Sequence, residues 1–182
     1  MKAQGIRIER WLDTADKETA IREVDAIFFE SSGTKSFPDD DLRQAFRERW
    51  LGRYFEFDPK WAYLARAADR VVAGYLVGCL DDPARTPRFS DLPVLQEFKA
   101  LTLRYPAHLH VNCATSWRSK GVGAALVERF CGDAAAAGSP GVHIVTGQGM
   151  RNVRFYERLG FAYQGRALYN GTTVVLLGRE LV

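Results

Sequence analysis

Residues 111–124 read VNCATSWRSKGVGA, and they lead from an apolar strand through a basic loop into a helix. A helix start exposes backbone N–H groups that have no intrahelical acceptor, and it carries the positive end of the helix dipole. Gly121 and Gly123 have no Cβ to hold an anion away from this backbone, and Arg118 and Lys120 add positive charge. The segment predicts an anion site. The simpler alternative is a pair of glycines that only permit a tight turn.

Two other phosphate-binding motifs do not fit the spacing of these glycines. A dinucleotide fingerprint needs a third glycine at the position of Leu126, and a P-loop needs Ser or Thr directly after Gly-Lys. The segment has neither pattern. We therefore expect a phosphate site of another class.

The rest of the sequence alternates strand patterns with helix patterns. Apolar residues at helical spacing predict helices at 121–137 and 151–159 and a helical insertion at about 81–106. Short links at 68–70 and 169–171 predict hairpins between neighbouring strands. Apolar and aromatic runs predict strands, which we place near 6–8 and at 61–67, 71–80, 108–113, 142–146, 161–168 and 172–181.

Two further helices are expected between the first two strands. Asp13 or Thr14 is the expected cap of the first helix, and Gly33 its end. Pro38 and the acidic residues 39–41 predict the start of the second helix, because carboxylates stabilise the positive helix end. The same acids could instead recruit a cationic acceptor. The residues expected to face inward from the second helix are Leu42, Ala45 and Phe46.

Composition indicates one soluble domain spanning 1–182, since 182 residues with 47% hydrophobic content can bury one substantial core. The formal charge of +3, with acids and bases interspersed, argues against a nucleic-acid or membrane partner. No secretory pattern or long apolar run is visible, so a cytoplasmic location is expected. The odd number of cysteines, Cys79, Cys113 and Cys131, indicates reduced thiols, and neither disulfides nor a structural metal are expected.

Two motifs together resemble the signature regions of the GNAT acetyltransferase superfamily. The first is Arg-x-x-Gly-x-Gly at 118–123, and the second is FYERLGF at 155–161, one strand later. The resemblance implies an α/β (α+β) GNAT fold, with a central mixed twisted sheet of six to seven strands flanked by helices and with splayed fourth and fifth strands. Within the superfamily, YPAHLHV at 105–111 and VVLLGR at 174–179 resemble the acetyltransferase-like domain of O-GlcNAcases.

The resemblance also implies acetyl-CoA as co-substrate and a set of residues that bind it. The backbone around Val111, Asn112 and Cys113 would hold the pantetheine arm as an added strand does. The pyrophosphate would lie on Arg118, Ser119, Lys120, Gly121, Val122, Gly123 and Ala124. The second motif would contribute Asn152, Phe155 and Tyr156. Gly149 stands where the superfamily commonly has a coenzyme-binding Asn, which is a departure from the pattern.

Direct transfer to an amine needs a proton acceptor and a proton donor. Tyr156 is the candidate general acid for the departing thiolate, because a phenol is protonated at neutral pH. Its alternative role is packing within a helical ridge. His110 is the candidate base, with a hydrogen-bonded structural histidine as the alternative. His108 and Asn112 are expected on the same strand face, and His143 is expected to be structural.

Cys113 could be a nucleophile, but no paired base is visible beside it, and packing explains it as well. The function that follows is an N-acetyltransferase acting on a small-molecule or peptide amine, with a homodimer as one possible assembly. The alternative is a catalytically inactive acetyl-CoA-binding module that serves as a scaffold or sensor.

Overall fold

The computed structural model describes residues 5–181, in which the strands form a seven-stranded mixed sheet flanked by helices. The strand order is β1-β2-β3-β4-β5-β7-β6, and β4 and β5 run parallel. This confirms the predicted α/β class and the mixed sheet. The strands are β1 Ile6–Arg10, β2 Ala62–Ala67, β3 Val72–Cys79, β4 Ala107–Cys113, β5 Gly141–Gly147, β6 Ala162–Tyr169 and β7 Thr172–Glu180.

The helices lie between the strands at nearly the predicted places. One π turn, Glu48–Gly52, joins the second and third of them. Single 3-10 turns occur at Trp11–Asp13, Pro59–Trp61, Pro87–Phe89 and Thr115–Trp117. The helices are α1 Lys17–Ser31, α2 Asp40–Arg47, α3 Arg53–Phe57, α4 Val94–Glu97, α5 Lys99–Thr102, α6 Val122–Ala136 and α7 Arg151–Glu157.

The predicted cap of α1 was wrong. Asp16 caps this helix, and its carboxylate accepts a hydrogen bond from the Thr19 N–H at 3.0 Å. Asp13 belongs to the preceding 3-10 turn, and the Thr14 hydroxyl is buried and donates to Glu9 at 3.1 Å. The observed cap lies two residues after Thr14 and three after Asp13, because a 3-10 turn follows β1 before the helix begins.

The predicted inward face of α2 was also wrong, although its start was right. Asp39 caps the helix and accepts from the Leu42 N–H at 2.8 Å. The Leu42 side chain is half exposed, Ala45 is exposed, and only Phe46 is partly covered. The buried residues come later, at Leu51 in the π turn and Tyr54 in α3. A π turn holds one residue more than an α turn, so it changes which residues point inward.

The chain forms two compact units. The first comprises Met1–Gly78 and His110–Phe130, and the second comprises Cys79–Leu109 and Cys131–Val182. In the first unit Phe130 of α6 is fully buried, and its ring lies edge-on to Trp61 and Tyr63 at centroid distances of 6.1 and 6.3 Å. Aromatic packing of α6 on β2 thus anchors the helix whose start is the glycine turn.

In the second unit, Tyr105 packs where two glycines leave space for its ring. A Cβ at Gly141 would lie 2.7 Å from the Tyr105 ring, and one at Gly178 would lie 2.8 Å from it. The insertion that ends at Tyr105 contains the Pro87–Phe89 turn, α4 and α5, as the sequence predicted. Its Leu101 side chain lies against Gly165 of β6, where a Cβ would come within 2.9 Å. The insertion is therefore packed onto its own unit.

β5 pairs with β4 along one edge and with β7 along the other, and the two ladders differ in length. The parallel register with β4 pairs Ala107 with Val142 and His108 with His143, at the amino-terminal ends of both strands. The antiparallel register with β7 extends over all of β5, from Gly141 to Gly147. The predicted hairpin between β6 and β7 is confirmed, and Asn170 and Gly171 both have positive φ, 46° and 75°.

Across residues 5–181, no helix is both long enough and apolar enough to cross a bilayer. Within residues 5–181 none of the three cysteines is in a disulfide; Cys79 and Cys131 are buried and Cys113 is half-buried.

Candidate functional site

The end of β4 fits closely against β3 and the start of α6. A Cβ at Gly74 of β3 would lie 2.9 Å from the Asn112 carbonyl oxygen, 3.1 Å from Cys113 Sγ and 3.2 Å from a Val122 methyl carbon. The Ala114 N–H then donates to the Ala73 carbonyl at 3.0 Å. Glycine at position 74 therefore lets the chain leave the sheet directly beneath the helix start.

The glycine turn itself has two residues with positive φ, Ser119 at 60° and Gly121 at 82°. Such left-handed residues turn successive backbone N–H groups toward one side, which makes a concavity suited to anions. Arg118, Ser119 and Lys120 are exposed, while Val122 is buried and fixes the first turn of α6. The structure thus confirms the predicted strand-turn-helix arrangement.

Side chains tie this turn to the end of α1. Arg118 Nε donates to the Cys113 carbonyl at 3.2 Å, and its Nη2 donates to Ser31 Oγ, also at 3.2 Å. The Thr115 hydroxyl donates to Glu30 at 2.6 Å, and this hydrogen bond holds the pKa of the Glu30 carboxyl below its usual value. Lys120 lies over the Trp117 ring, 5.2 Å from its centroid.

Because α6 is 15 residues long, its aligned peptide dipoles give its start a substantial positive potential. The first N–H groups of any helix have no intrahelical acceptor. Gly123 and Ala124 lie in this first turn, directly after Gly121 and Val122. The positions that the sequence assigned to an anion therefore combine the start of a long helix, its dipole and two exposed cationic side chains.

Cys113 lies at the end of β4 and is half-buried. Burial raises the pKa of its thiol to about 11, against a smaller lowering by the nearby Arg118 guanidinium. A thiol of this kind stays protonated at neutral pH and is a poor nucleophile. The physical setting therefore favours packing over nucleophilic catalysis for Cys113.

A cleft of about 310 Å³ opens on one face of β4 within the first unit. His110 and Asn112 line it together, so the expectation that these two side chains share a strand face is confirmed. We call this cavity the β4 cleft. The other residues that line it come from α1, the loop after α1, α2 and the π turn: Phe28, Ser31, Ser32, Gly33, Thr34, Phe46 and Trp50.

His110 is held by two aromatic side chains. Its Nε2 lies 3.1 Å from the hydroxyl of Tyr54, which is almost fully buried. The Trp50 ring stands edge-on to the imidazole, at a centroid distance of 5.8 Å and an interplanar angle of 83°. A neutral imidazole that donates from Nε2 to the Tyr54 oxygen carries its lone pair on Nδ1. The two aromatic contacts thus fix the orientation of the imidazole.

The Asn112 side chain is held by Tyr75 of β3. Its amide donates to the Tyr75 hydroxyl at 2.9 Å, and burial raises the pKa of that phenol well above its usual value. Tyr75 therefore stays neutral and serves as a fixed acceptor for Asn112.

The candidates from the second motif lie in the second unit. Tyr156 is buried, and its ring lies edge-on to Phe155 at 5.0 Å and to Phe161 at 5.3 Å. Asn152 is exposed in the first turn of α7, and its side-chain oxygen accepts from the Thr146 hydroxyl at 3.0 Å. Tyr156 therefore packs against neighbouring aromatic residues, and a role for its hydroxyl stays a proposal.

The other two histidines are core residues of the second unit. His108 is buried against Phe89, with ring centroids 4.9 Å apart, and 5.7 Å from the His143 ring. His143 Nδ1 hydrogen-bonds the Tyr105 carbonyl. Burial lowers the pKa of His143 to about 4, so this imidazole is neutral at physiological pH.

Sequence reasoning missed Trp50 and Tyr54 as residues of this site. Both follow the charged helix α2, in a stretch to which no element was assigned. Their spacing of four residues, together with the aromatic neighbour Phe55, is a helical signal that could have extended the helix past Arg47. The π turn obscures it, because the stripe changes phase at Glu48–Gly52.

Comparison with known proteins finds one matching family model and several solved structures with a similar fold. Residues 61–163 match the family model of the acetyltransferase (GNAT) domain. The fold is similar to that of the crystal structure of SsHAT, with a TM-score of 0.71, 22% identity, and coverage of 98% of this chain and 99% of that one.

Two structures that contain acetyl-CoA are also similar. The putative acetyltransferase yncA from Salmonella typhimurium has a TM-score of 0.62 and 17% identity over 98% of this chain and 95% of that one. The phosphinothricin acetyltransferase from Sinorhizobium meliloti has a TM-score of 0.63 and 16% identity over 98% of this chain and 89% of that one.

Proposed function

Because the chain belongs to the GNAT acetyltransferase domain family, we propose that it binds acetyl-CoA and transfers the acetyl group directly to the nitrogen of an amine. The observation that carries the proposal is the turn at 118–124, where Ser119 and Gly121 have positive φ at the start of a 15-residue helix. The similar structures that contain acetyl-CoA support the choice of co-substrate.

The coenzyme pyrophosphate would lie on the N–H groups of Gly121, Val122, Gly123 and Ala124. Charge-assisted hydrogen bonds from backbone amides are strong, and the helix dipole adds to them. Arg118 is exposed and already hydrogen-bonds two neutral acceptors, so a phosphate would compete favourably for its guanidinium. Lys120, Ser119 and the exposed edge of the turn would complete the site.

The β4 backbone at Val111, Asn112 and Cys113 would hold the pantetheine arm, as an added strand is held. An N–H of this segment would polarise the acetyl carbonyl while negative charge develops on its oxygen. The second-motif residues Asn152 and Phe155 would contribute further coenzyme contacts.

In the transfer step, the amine nitrogen bonds to the acetyl carbon and the carbon–sulfur bond breaks. His110, whose imidazole lies 3.1 Å from the Tyr54 hydroxyl, would take one proton from the amine, directly or through water. The Tyr156 hydroxyl would give a proton to the departing thiolate. No covalent enzyme intermediate is needed.

The alternative function is an acetyl-CoA-binding module without turnover, acting as a scaffold or sensor. The observation that favours it is Gly149, which has a φ of 74° where the superfamily commonly places a coenzyme-binding Asn. Glycine has no side chain at this position, so this contact is absent. The narrower likeness to the acetyltransferase-like domain of O-GlcNAcases, carried by 105–111 and 174–179, is compatible with either function.

Two measurements test the proposal and separate it from the alternative. Titration calorimetry with coenzyme A should give saturable heat, and Arg118→Glu with Lys120→Glu should weaken binding by about tenfold or more for each lost phosphate contact. Incubation with acetyl-CoA and a panel of amines should release free thiol. Binding without thiol release would favour the inactive module, and the absence of binding would refute both.

A further inference from the structure

The proposed function leaves the acceptor open, and the β4 cleft carries an inference about it that rests on that function. We propose that the acceptor is a small primary amine that bears an aromatic ring, with the ring against Trp50 and Phe46 and the amine at His110. Four observations support this choice: the size of the cleft, the chemistry of its wall, the rigidity of that wall, and the position of the imidazole.

The size of the cleft selects a small molecule. A volume of about 310 Å³ is at the lower end of the range for ligand pockets, which is roughly 300–1,000 Å³. A single ring with a short amine-bearing chain fits such a space. A folded protein surface does not enter it.

The wall of the cleft is aromatic. Phe28, Phe46 and Trp50 line it, and both Phe46 and Trp50 keep part of their rings uncovered. Partly uncovered aromatic faces in a cleft are suited to an incoming ring, which gains edge or offset stacking beyond the area it buries.

The charges of the lining argue against a polyamine. Within the described part of the chain, the cleft is lined by aromatic, hydroxyl-bearing and amide side chains and one glycine, and none of these residues carries a carboxylate. A second ammonium group would therefore find no ion-pair partner on the lining. The three hydroxyl-bearing residues Ser31, Ser32 and Thr34 instead offer hydrogen bonds to a neutral substituent of the ring.

The aromatic wall is fixed by contacts behind it. The Phe46 ring lies 5.5 Å from Phe28 and 5.3 Å from Phe37, measured between centroids. Trp50 lies within the π turn Glu48–Gly52. Trp50 in turn meets His110 edge-on. A ring held by Trp50 would thus place a short attached amine beside the proton acceptor.

The inference can be tested with three small primary amines of different chemistry: 2-phenylethylamine, butylamine and glucosamine. With saturating acetyl-CoA, thiol release should give a kcat/KM for 2-phenylethylamine about tenfold or more above that for the other two. Trp50→Ala should remove most of this preference by raising KM for 2-phenylethylamine. Trp50→Phe should restore it in part, since an aromatic face remains.

Phe57→Ala is the matched control, because Phe57 is an exposed aromatic residue of the neighbouring helix and lies outside the lining. It should leave all three values within about twofold. Equal or higher kcat/KM for glucosamine or butylamine would overturn the inference while leaving acetyl transfer intact. So would an equal loss with all three acceptors in Trp50→Ala. Failure of every acceptor to release thiol would overturn the proposed function as well.

Discussion

Replacing Gly74 by alanine tests how the glycine turn is positioned. The added Cβ would lie 2.9 Å from the Asn112 carbonyl oxygen, which is a backbone atom in a strand and cannot rotate away. It would also lie 3.1 Å from Cys113 Sγ and 3.2 Å from Val122. Overpacking of this kind costs about 1–3 kcal/mol, and relief of backbone entropy on replacing glycine returns about 0.5–1 kcal/mol.

The midpoints of these ranges leave a net loss of about 1 kcal/mol for Gly74→Ala, which lowers Tm by about 2–4 °C in a protein of this size. Because the contacts are with the end of β4 and the start of α6, coenzyme A affinity should also fall, by about 3- to 10-fold. Thermal unfolding and titration calorimetry measure the two effects.

Gly132→Ala is the control. Gly132 lies inside α6 with open space around its Cβ position, so alanine should raise stability by about 0.5–1 kcal/mol and leave coenzyme binding unchanged. If Gly74→Ala kept both Tm and affinity within error of the unmodified protein, the close fit of β3 beneath the turn would not position it, and the reasoning would be refuted.

Three more predictions concern individual side chains. The pKa of His143 is lowered from 6.5 to about 4, so its contribution to stability is fully present above pH 6.5. As the pH falls from 6.5 to 4, His143 binds a proton in the unfolded state but not in the folded state, so the free energy of unfolding should drop by up to about 3 kcal/mol. Urea titrations across this range should show a flatter profile for His143→Asn, whose amide can still donate to the Tyr105 carbonyl. Since burial raises the pKa of Cys113 to about 11, iodoacetamide should modify it slowly at pH 8, and Cys113→Ala should retain acetyl transfer, whereas loss of transfer would revive the nucleophile. Tyr54→Phe removes the hydroxyl that orients His110 but keeps the ring, so kcat should fall about 2- to 10-fold with KM for acetyl-CoA unchanged, and an unaltered kcat would exclude this orientation.

The features predicted well from sequence are those that are encoded locally. Gly121 and the Asn170–Gly171 pair have positive φ, as their residue types suggested, and each stands at the predicted turn. The start of α2 was also local, because Asp39 and its acidic neighbours supply both a cap and a favourable charge. Such signals need only a few consecutive residues.

The features that could not be predicted depend on distant partners or on irregular geometry. His110 and Tyr54 are 56 positions apart, and no sequence pattern joins them. The face of α2 was assigned by a period of 3.6, which fails at the π turn Glu48–Gly52. The aromatic wall of the β4 cleft, which includes Trp50, depends both on distant contacts and on the π turn. The candidate binding turn could therefore be predicted from the sequence, whereas the aromatic lining of the β4 cleft could not.

The packing of Tyr105 has a consequence for engineering. Its ring occupies space that exists only because positions 141 and 178 have no side chains. Replacing the insertion, including Tyr105, by a short hairpin loop would remove this ring and leave a void beside the two glycines. A shortened variant would need larger residues at both glycine positions to stay folded, so loop length and these two positions should be redesigned together.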